Sequence, residues 1–390
     1  MRQKISGAEK AQTERSVTHM AEKKRQANFE LLRILAMFMV VIMHFLAASG
    51  VVTEGRPRDG LYLFGILTES LCICAVNVYV LLSGYFLSTA AFSLKRVVRL
   101  IAQTLFYTVL IPVLLVAAGQ LDLKSALNIY SIWPNVFPIQ SGHYWFVTAY
   151  VVMSLFAPCL NAALEKLSQK DMGRMLAALL LFFCIGKTLS PLQFATDKYG
   201  YDFGWFLVLY LMGGYIRRYG VGFFDNKRKS AGLYLASAGV IAMAELVFHV
   251  LAEKIEGLVY YSSVPFHYNF LFCLTGALGL FFLFYHLKIK EGKMADGIRF
   301  VSPAVLGVYL IHEHWQVKPL WFSWLNGLFS GIGLGVALDQ NGMAQMGVLF
   351  YGIVMLLQVF ALFGVCILID RARGFLFEKA QARFQKQRTV

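Results

Sequence analysis

Several side chains that can exchange protons lie within long apolar stretches of this sequence. His44 falls near the end of the first stretch, and His143 opens a later one. A carboxylate or neutral imidazole held beside a hydroxyl group can take its proton, which is general base catalysis. The order His-Glu-His at 312–314 is not the HExxH pattern, so a metal site is not predicted. The predicted catalytic residues are His44, His143, His312 and Glu313.

Arg33 shares one helix face with His44. The two residues are eleven positions apart in the first apolar stretch, and at about 100° and 1.5 Å per residue they lie about 16 Å apart on nearly the same face. Glu30, three residues before Arg33, can pair with it. The alternative is structural: Arg33 then extends to the inner membrane interface, and His44 bonds to a neighbouring helix.

Two further arginines begin the third apolar stretch. Arg96 and Arg99 in LKRVVRL are three positions apart, so they project from one helix face. A guanidinium group can bind phosphate through two parallel hydrogen bonds. We therefore predict that this pair, together with Arg33, binds an anionic ligand. The alternative is that the pair anchors the helix at the cytoplasmic interface.

Polar and aromatic residues also interrupt the apolar stretches. Ionisable groups are costly in lipid, so they face a protein interior or a cavity. For Ser83 and Gly84 the alternative is close helix packing, and for Trp145 it is a place in the aromatic belt of the outer interface. The predicted substrate channel comprises Glu30, Glu69, Asn77, Ser83, Tyr85 and Trp145.

The elements that must position these residues are membrane-spanning helices. The sequence is 58% hydrophobic and 15% charged, whereas soluble domains have about 45–50% and about 25%. A helix needs about 20 mainly apolar residues to cross a bilayer. The sequence therefore predicts an all-α polytopic integral membrane protein with about ten transmembrane helices. They are expected at 29–48, 65–88, 98–118, 143–161, 175–190, 203–216, 231–251, 266–286, 300–318 and 346–369.

Basic residues predict the orientation of this bundle. Most of the 36 Lys and Arg residues fall in the two tails and in alternate loops, which predicts cytoplasmic N- and C-termini. The net charge of +14 is thereby explained without a nucleic-acid-binding patch. The apolar, Gly-rich segment 320–336 is predicted to be re-entrant or interfacial, because a span there would place the basic C-terminus outside.

One membrane domain is predicted at 29–370, between a basic cytoplasmic tail at 1–28 and a basic C-terminal tail at 371–390. No small-residue cleavage site follows the first apolar stretch, so the first tail is not predicted to be a signal peptide. All six cysteines fall in apolar stretches. This pattern favours packing roles over a zinc site or a disulfide framework.

Taken together, these features resemble the acyltransferase 3 family of bacterial membrane acyltransferases over nearly the whole chain. The motifs are Arg33 and His44 as R-x10-H, LLSGYFL around Ser83, Arg96 and Arg99 as RxxR, HYWF from His143, and YLIH ending at His312. The resemblance implies transfer of an acyl group, usually acetyl from acetyl-CoA, to a hydroxyl of a cell-envelope or exported carbohydrate. It also implies that His44 is the essential histidine and that the three arginines bind and place the acyl donor.

The partners implied by the resemblance are acyl-CoA, a carbohydrate or glycolipid acceptor, and membrane lipid. The implied location is the bacterial cytoplasmic membrane, which the chain crosses many times. Two other function classes stay open. Ten spans with internal charges also describe a transporter or flippase of cell-envelope intermediates, and a sensor or amino-acid uptake module is the third class. Flux of a substrate without acyl-CoA would identify the transporter.

Overall fold

The computed structural model describes residues 25–53, 59–189, 198–224 and 226–388, which form a bundle of long helices. Most of the predicted N-terminal tail, residues 1–24, lies outside the described residues. In chain order the long helices are α1 (Ala27–Ala48), α2 (Gly60–Leu87), α3 (Leu94–Ala117), α4 (Trp145–Lys166), α5 (Gln169–Leu189), α6 (Phe203–Tyr219), α7 (Lys227–Ala252), α8 (Glu256–Tyr285), α9 (Lys293–His312) and α10 (Val348–Arg388).

These helices confirm the prediction of an all-α polytopic membrane protein. Within the described ranges, 9 helices are long and apolar enough to cross a membrane. The remaining one, α6, has 17 residues and rises about 26 Å, at the lower limit for a membrane crossing. Such helices suit lipid because each backbone amide finds its partner within the same segment. The cytoplasmic location of both termini stays a prediction.

Helix α1 occupies the centre of the bundle and packs against α2, α8, α9 and α10. Leu32, Ala36, Val41 and Phe45 are all fully buried along its length. Because α1 is surrounded by other helices, polar side chains on it face protein interior and not lipid. The central position of α1 therefore places both ends of the predicted Arg33–His44 face inside the protein.

Glycines bring α2 and α6 into backbone contact. A Cβ atom on Gly84 would lie 2.1 Å from the carbonyl oxygen of Tyr210, and one on Gly213 would lie 2.4 Å from that of Leu81. No larger residue fits at either position without separating the helices. Small residues permit such close approach of membrane helices, so close packing accounts for Gly84.

The segment 320–336 holds no helix long enough to cross a bilayer. It forms a short helix, Trp321–Ser330, whose 10 residues rise about 15 Å, half the thickness of a hydrocarbon core. The ring of Phe322 lies 5.2 Å from that of Phe45 on α1, and Gln358 of α10 donates to Asn326 at 3.1 Å. Helix α10 itself continues to Arg388, through most of the predicted basic tail at 371–390.

Candidate active site

One interior cavity of about 380 Å3 is lined by both Arg33 and His44 of α1. The two positions are separated by about 16 Å along the helix axis, so the cavity has an arginine end and a histidine end. Between them, most of the wall is aliphatic or aromatic, including Met37, Val40 and Phe146. A largely apolar cavity of this size with a few polar groups is typical of small-molecule binding sites.

At the arginine end, Arg33 is held by a carboxylate and an aromatic ring. Its guanidinium binds Glu30 and lies 5.5 Å from the ring centre of Phe86. Glu30 is buried and also accepts a hydrogen bond of 2.5 Å from the Ser302 hydroxyl. Arg96, which lines the same cavity, is exposed and donates to the carbonyl oxygen of Ala91. A fixed cation and an accessible cation thus share this end.

At the histidine end, α1 meets the end of α9. His44 Nδ1 lies 2.8 Å from His312 Nε2 and 3.2 Å from Glu313 Oε1. His312 is fully buried, and its Nδ1 lies 2.6 Å from the carbonyl oxygen of Val308. The other oxygen of Glu313 pairs with the Lys318 ammonium at 2.8 Å. The structure therefore brings three of the four predicted catalytic residues together.

These distances assign the protons of the two neutral imidazoles. A carbonyl oxygen only accepts hydrogen bonds, so His312 Nδ1 carries the proton directed at Val308. The Nε2 atom of His312 then carries a lone pair and accepts a hydrogen bond from the protonated Nδ1 of His44. His44 is left with an unprotonated Nε2, which is the atom that a general base requires.

The same three groups could also offer ligand atoms to a metal ion, since these atoms lie within 4.8 Å of one another. Two nitrogens bound to one tetrahedral zinc are about 3.3 Å apart, given zinc–nitrogen bonds of about 2.0–2.1 Å. The separation of 2.8 Å between His44 Nδ1 and His312 Nε2 is that of a hydrogen bond. The geometry thus favours a proton relay, and the expectation of a site without metal stays a prediction.

A family described as an acyltransferase domain matches residues 26–369. The chain belongs to the acyltransferase 3 family. No curated protein and no solved structure matches it. The match begins just before α1 and runs into α10, so the cavity and both of its ends belong to the acyltransferase domain.

His143 of the acyltransferase lies in a second imidazole group. Its ring centre is 4.7 Å from that of His314 and 4.3 Å from that of Tyr144. The Tyr144 ring in turn lies 5.5 Å from that of Tyr309, which lines the cavity, whereas His143 is not part of the lining. Burial lowers the pKa of His143 to about 4 and that of His314 to about 3. Both rings are therefore neutral near pH 7.

Of the predicted channel residues, Ser83 and Trp145 line the cavity of the acyltransferase. The Ser83 hydroxyl lies 3.0 Å from the hydroxyl of Tyr150, which also lines the cavity. Tyr79 lines it too and donates to the Arg33 carbonyl oxygen at 2.6 Å. Tyr79 and Tyr150 were not among the predicted site residues, although tyrosine hydroxyls within apolar stretches indicate polar positions in the protein interior.

Asn77 and Tyr85 lie outside the cavity lining and make structural contacts. The Asn77 side chain donates to the Tyr268 carbonyl oxygen at 2.7 Å and accepts from the Trp205 indole at 3.0 Å. The Tyr85 hydroxyl accepts from Arg217 at 3.0 Å, and its ring lies 4.9 Å from that guanidinium. Both residues thus join helices of the acyltransferase to one another.

Glu69 and Arg99 also lie away from the cavity lining. Glu69 lies on α2, and Glu245 of α7 accepts a hydrogen bond of 2.5 Å from Tyr62, which is also on α2. Arg99 is exposed on α3, so only Arg96 of the RxxR pair reaches the cavity of the acyltransferase. Lys318, which pairs with Glu313, was also not predicted as a site residue. It lies in a non-helical turn, where the spacing of residues along the chain does not indicate which side chains meet.

Proposed function

We propose that the protein transfers an acetyl group from cytoplasmic acetyl-CoA to a hydroxyl of a cell-envelope or exported carbohydrate. The observation that carries this proposal is the single cavity lined by Arg33 and Arg96 at one end and by His44 at the other. It pairs an anion-binding end with a basic imidazole inside a membrane acyltransferase. The proposed location is the bacterial cytoplasmic membrane.

The arginine end suits the phosphates of acetyl-CoA. Guanidinium groups bind phosphate oxygens through paired hydrogen bonds, and they keep their charge at any physiological pH. Arg96 is exposed and can reach phosphates that stay at the mouth of the cavity. The apolar wall beyond it suits the thin pantetheine arm, which carries the thioester inward towards His44.

The histidine end supplies the base for acyl transfer. His44 Nε2 takes the proton of the acceptor hydroxyl while the hydroxyl oxygen bonds to the thioester carbonyl carbon. The carbon–sulfur bond then breaks, and the departing sulfur receives the proton from His44. A placed base of this kind contributes about 10²–10⁴-fold to the rate.

Glu313 and His312 support the charge that His44 acquires. When Nε2 is protonated the ring becomes a cation, and Glu313 Oε1 lies 3.2 Å from Nδ1 to stabilise it. His312 Nε2 accepts a hydrogen bond of 2.8 Å from His44 Nδ1 and thereby fixes the orientation of the His44 ring. Lys318 holds the carboxylate in place through its other oxygen.

The experiment is transfer of radiolabelled acetyl from acetyl-CoA to an envelope glycan in inverted membrane vesicles. We expect His44→Ala to abolish transfer at unchanged expression. His249→Ala is the matched control, because His249 is also an intramembrane histidine but belongs to the Glu245 group outside the cavity. Wild-type transfer by His44→Ala would contradict the catalytic assignment, and glycan flux without acetyl-CoA would favour a transporter.

A further inference from the structure

Three aromatic rings connect the wall of the cavity to the protein surface. Trp145 and Tyr268 line the cavity, whereas Tyr201 is 40% exposed. The Tyr201 ring centre lies 4.5 Å from that of Trp145 and 4.5 Å from that of Tyr268. Trp145 and Tyr268 are themselves stacked at 5.6 Å. The three rings form one continuous cluster, which we call the aromatic platform.

A series of ring contacts links the aromatic platform to the histidine end of the cavity. Phe146 follows Trp145 at the start of α4, and its ring centre is 6.0 Å from that of Tyr309. Tyr309 is in turn 6.4 Å from the ring of His312, the residue that bonds to His44. These contacts give a ligand on the platform a route along aromatic side chains towards His44.

A tight turn fixes the exposed ring of the platform. Tyr199 and Gly200 have φ angles of 62° and 78°, in the left-handed region that a residue with a side chain rarely occupies. The amide of Tyr268 donates to the Tyr199 carbonyl oxygen at 3.0 Å. A Cβ atom on Gly200 would lie 2.8 Å from the amide nitrogen of Asn269. Backbone strain of this kind persists where it positions a functional residue, and here it positions Tyr201.

From these observations we infer that Trp145, Tyr201 and Tyr268 bind a pyranose ring of the acceptor. Each platform residue combines an apolar face with a polar edge, which is an indole N–H or a phenol hydroxyl. A pyranose has the same division, since its axial C–H groups form an apolar face and its hydroxyls form a polar rim.

This inference rests on the proposed function and adds the residues that select the acceptor. Stacking on the platform holds the sugar so that one hydroxyl points into the cavity towards His44. Tyr201 touches neither the arginine end nor the base, so its role concerns acceptor binding alone. The platform residues therefore determine the KM for the acceptor and not the KM for acetyl-CoA.

The test measures acetyl transfer from acetyl-CoA to 4-nitrophenyl pyranosides of glucose, galactose, rhamnose and N-acetylglucosamine. We expect Tyr201→Ala to raise the KM for the best acceptor by about tenfold, the loss of one good aromatic contact, at unchanged KM for acetyl-CoA. Tyr201→Phe keeps the stacking face and should retain most of the affinity. Tyr130→Ala is the control, because Tyr130 is 85% exposed on another surface segment.

Binding of the same pyranosides by saturation-transfer NMR separates this inference from the proposed function. Pyranoside binding that is lost in Tyr201→Ala, in a protein that transfers no acetyl group, would support the platform and contradict the acyl transfer. An unchanged acceptor KM and unchanged pyranoside binding in Tyr201→Ala and Trp145→Ala would contradict the inference that the platform binds the acceptor. So would the failure of every pyranoside in the set to bind or to accept acetyl.

Discussion

His44 Nδ1 lies 2.8 Å from His312 Nε2, and the opposite nitrogen of His312 is occupied by the Val308 carbonyl oxygen. This chain of hydrogen bonds runs from the backbone of α9 to the ring on α1. It leaves His44 in the tautomer with a free Nε2, so we expect His312 to act as a positioning residue for the proposed base.

We expect His312→Phe to lower kcat by about 10–100-fold, by analogy with the loss of outer-shell partners that orient metal-bound histidines. The KM for acetyl-CoA should not change, because His312 is remote from the arginine end. His312→Gln should recover part of the rate, because its side-chain oxygen can accept a hydrogen bond from His44 Nδ1. Steady-state kinetics in vesicles measure both constants, and a wild-type kcat in His312→Phe would show that the orientation of His44 has another source.

The two arginines of the RxxR pair should differ in their effect on the donor. Arg96 lines the cavity and Arg99 does not. Arg96→Ala should raise the KM for acetyl-CoA by about 10–100-fold, because one charge-assisted hydrogen bond is worth about 1.5–3 kcal/mol. Arg99→Ala is the matched control and should stay close to wild type.

S-acetylpantetheine extends this comparison, because it has the thioester but lacks the phosphates of acetyl-CoA. Its KM should be the same in wild type and in Arg96→Ala. An equal increase for both donors in Arg96→Ala would mean that Arg96 shapes the cavity instead of binding phosphate.

Metal removal distinguishes a proton relay from a metal centre at the histidine end. Because the His44–His312 separation is that of a hydrogen bond, we expect acetyl transfer to survive dialysis against a chelator. Metal analysis of the purified protein should show less than one equivalent of zinc. Loss of transfer on chelation, restored by zinc, would instead assign His44, His312 and Glu313 as metal ligands.

The contact between α2 and α6 should tolerate no side chain at Gly84. Gly84→Val places new atoms against the Tyr210 carbonyl group, and overpacking of this kind costs about 1–3 kcal/mol or more. We expect a lower melting temperature and a lower yield of folded protein in detergent. Gly239→Val is the control, since a Cβ atom there meets nothing within 4 Å. Equal behaviour of the two variants would show that the helices can separate freely.

The pH dependence of stability should reflect the second imidazole group. An unfolded histidine has a pKa of about 6.5, whereas burial lowers the pKa of His143 to about 4 and that of His314 to about 3. Above pH 6.5 both rings are neutral in the folded and unfolded states, so burying them costs no free energy of deprotonation and the free energy of unfolding is at its highest. As the pH falls from 6.5 towards 4 the unfolded state binds protons first, so the free energy of unfolding decreases.

Melting temperatures at pH 8 and pH 5 measure this decrease. The double variant His143→Gln, His314→Gln should lose less stability between these two pH values than the wild type does. If the melting temperature of the double variant falls as much as that of the wild type, the titrating groups lie elsewhere in the protein.

Sequence spacing predicted the features that depend on one helix. Arg33 and His44 lie on α1, so the helical period alone places them on one face, and both line the cavity. The apolar stretches likewise predicted the long helices, because each needs only its own length and composition to form in lipid.

Contacts between distant segments could not be predicted in this way. Whether Arg96 or Arg99 reaches the cavity depends on how α3 packs against its neighbours, since both project from one face. His44 meets His312 because α9 ends beside α1, whereas His143 packs against His314. Pairing of this kind is a property of the packed bundle, and no residue spacing encodes it.

The apolar wall between the two ends of the cavity has a consequence for the cell. A polar passage joining cationic groups to imidazoles across a membrane would conduct ions and dissipate the electrochemical gradient. A hydrated ion entering the stretch lined by Met37, Val40 and Phe146 would lose its water shell with few polar groups to replace it. A lining that admits the proposed pantetheine arm would therefore also act as an insulator, and acyl transfer would proceed without an ion leak.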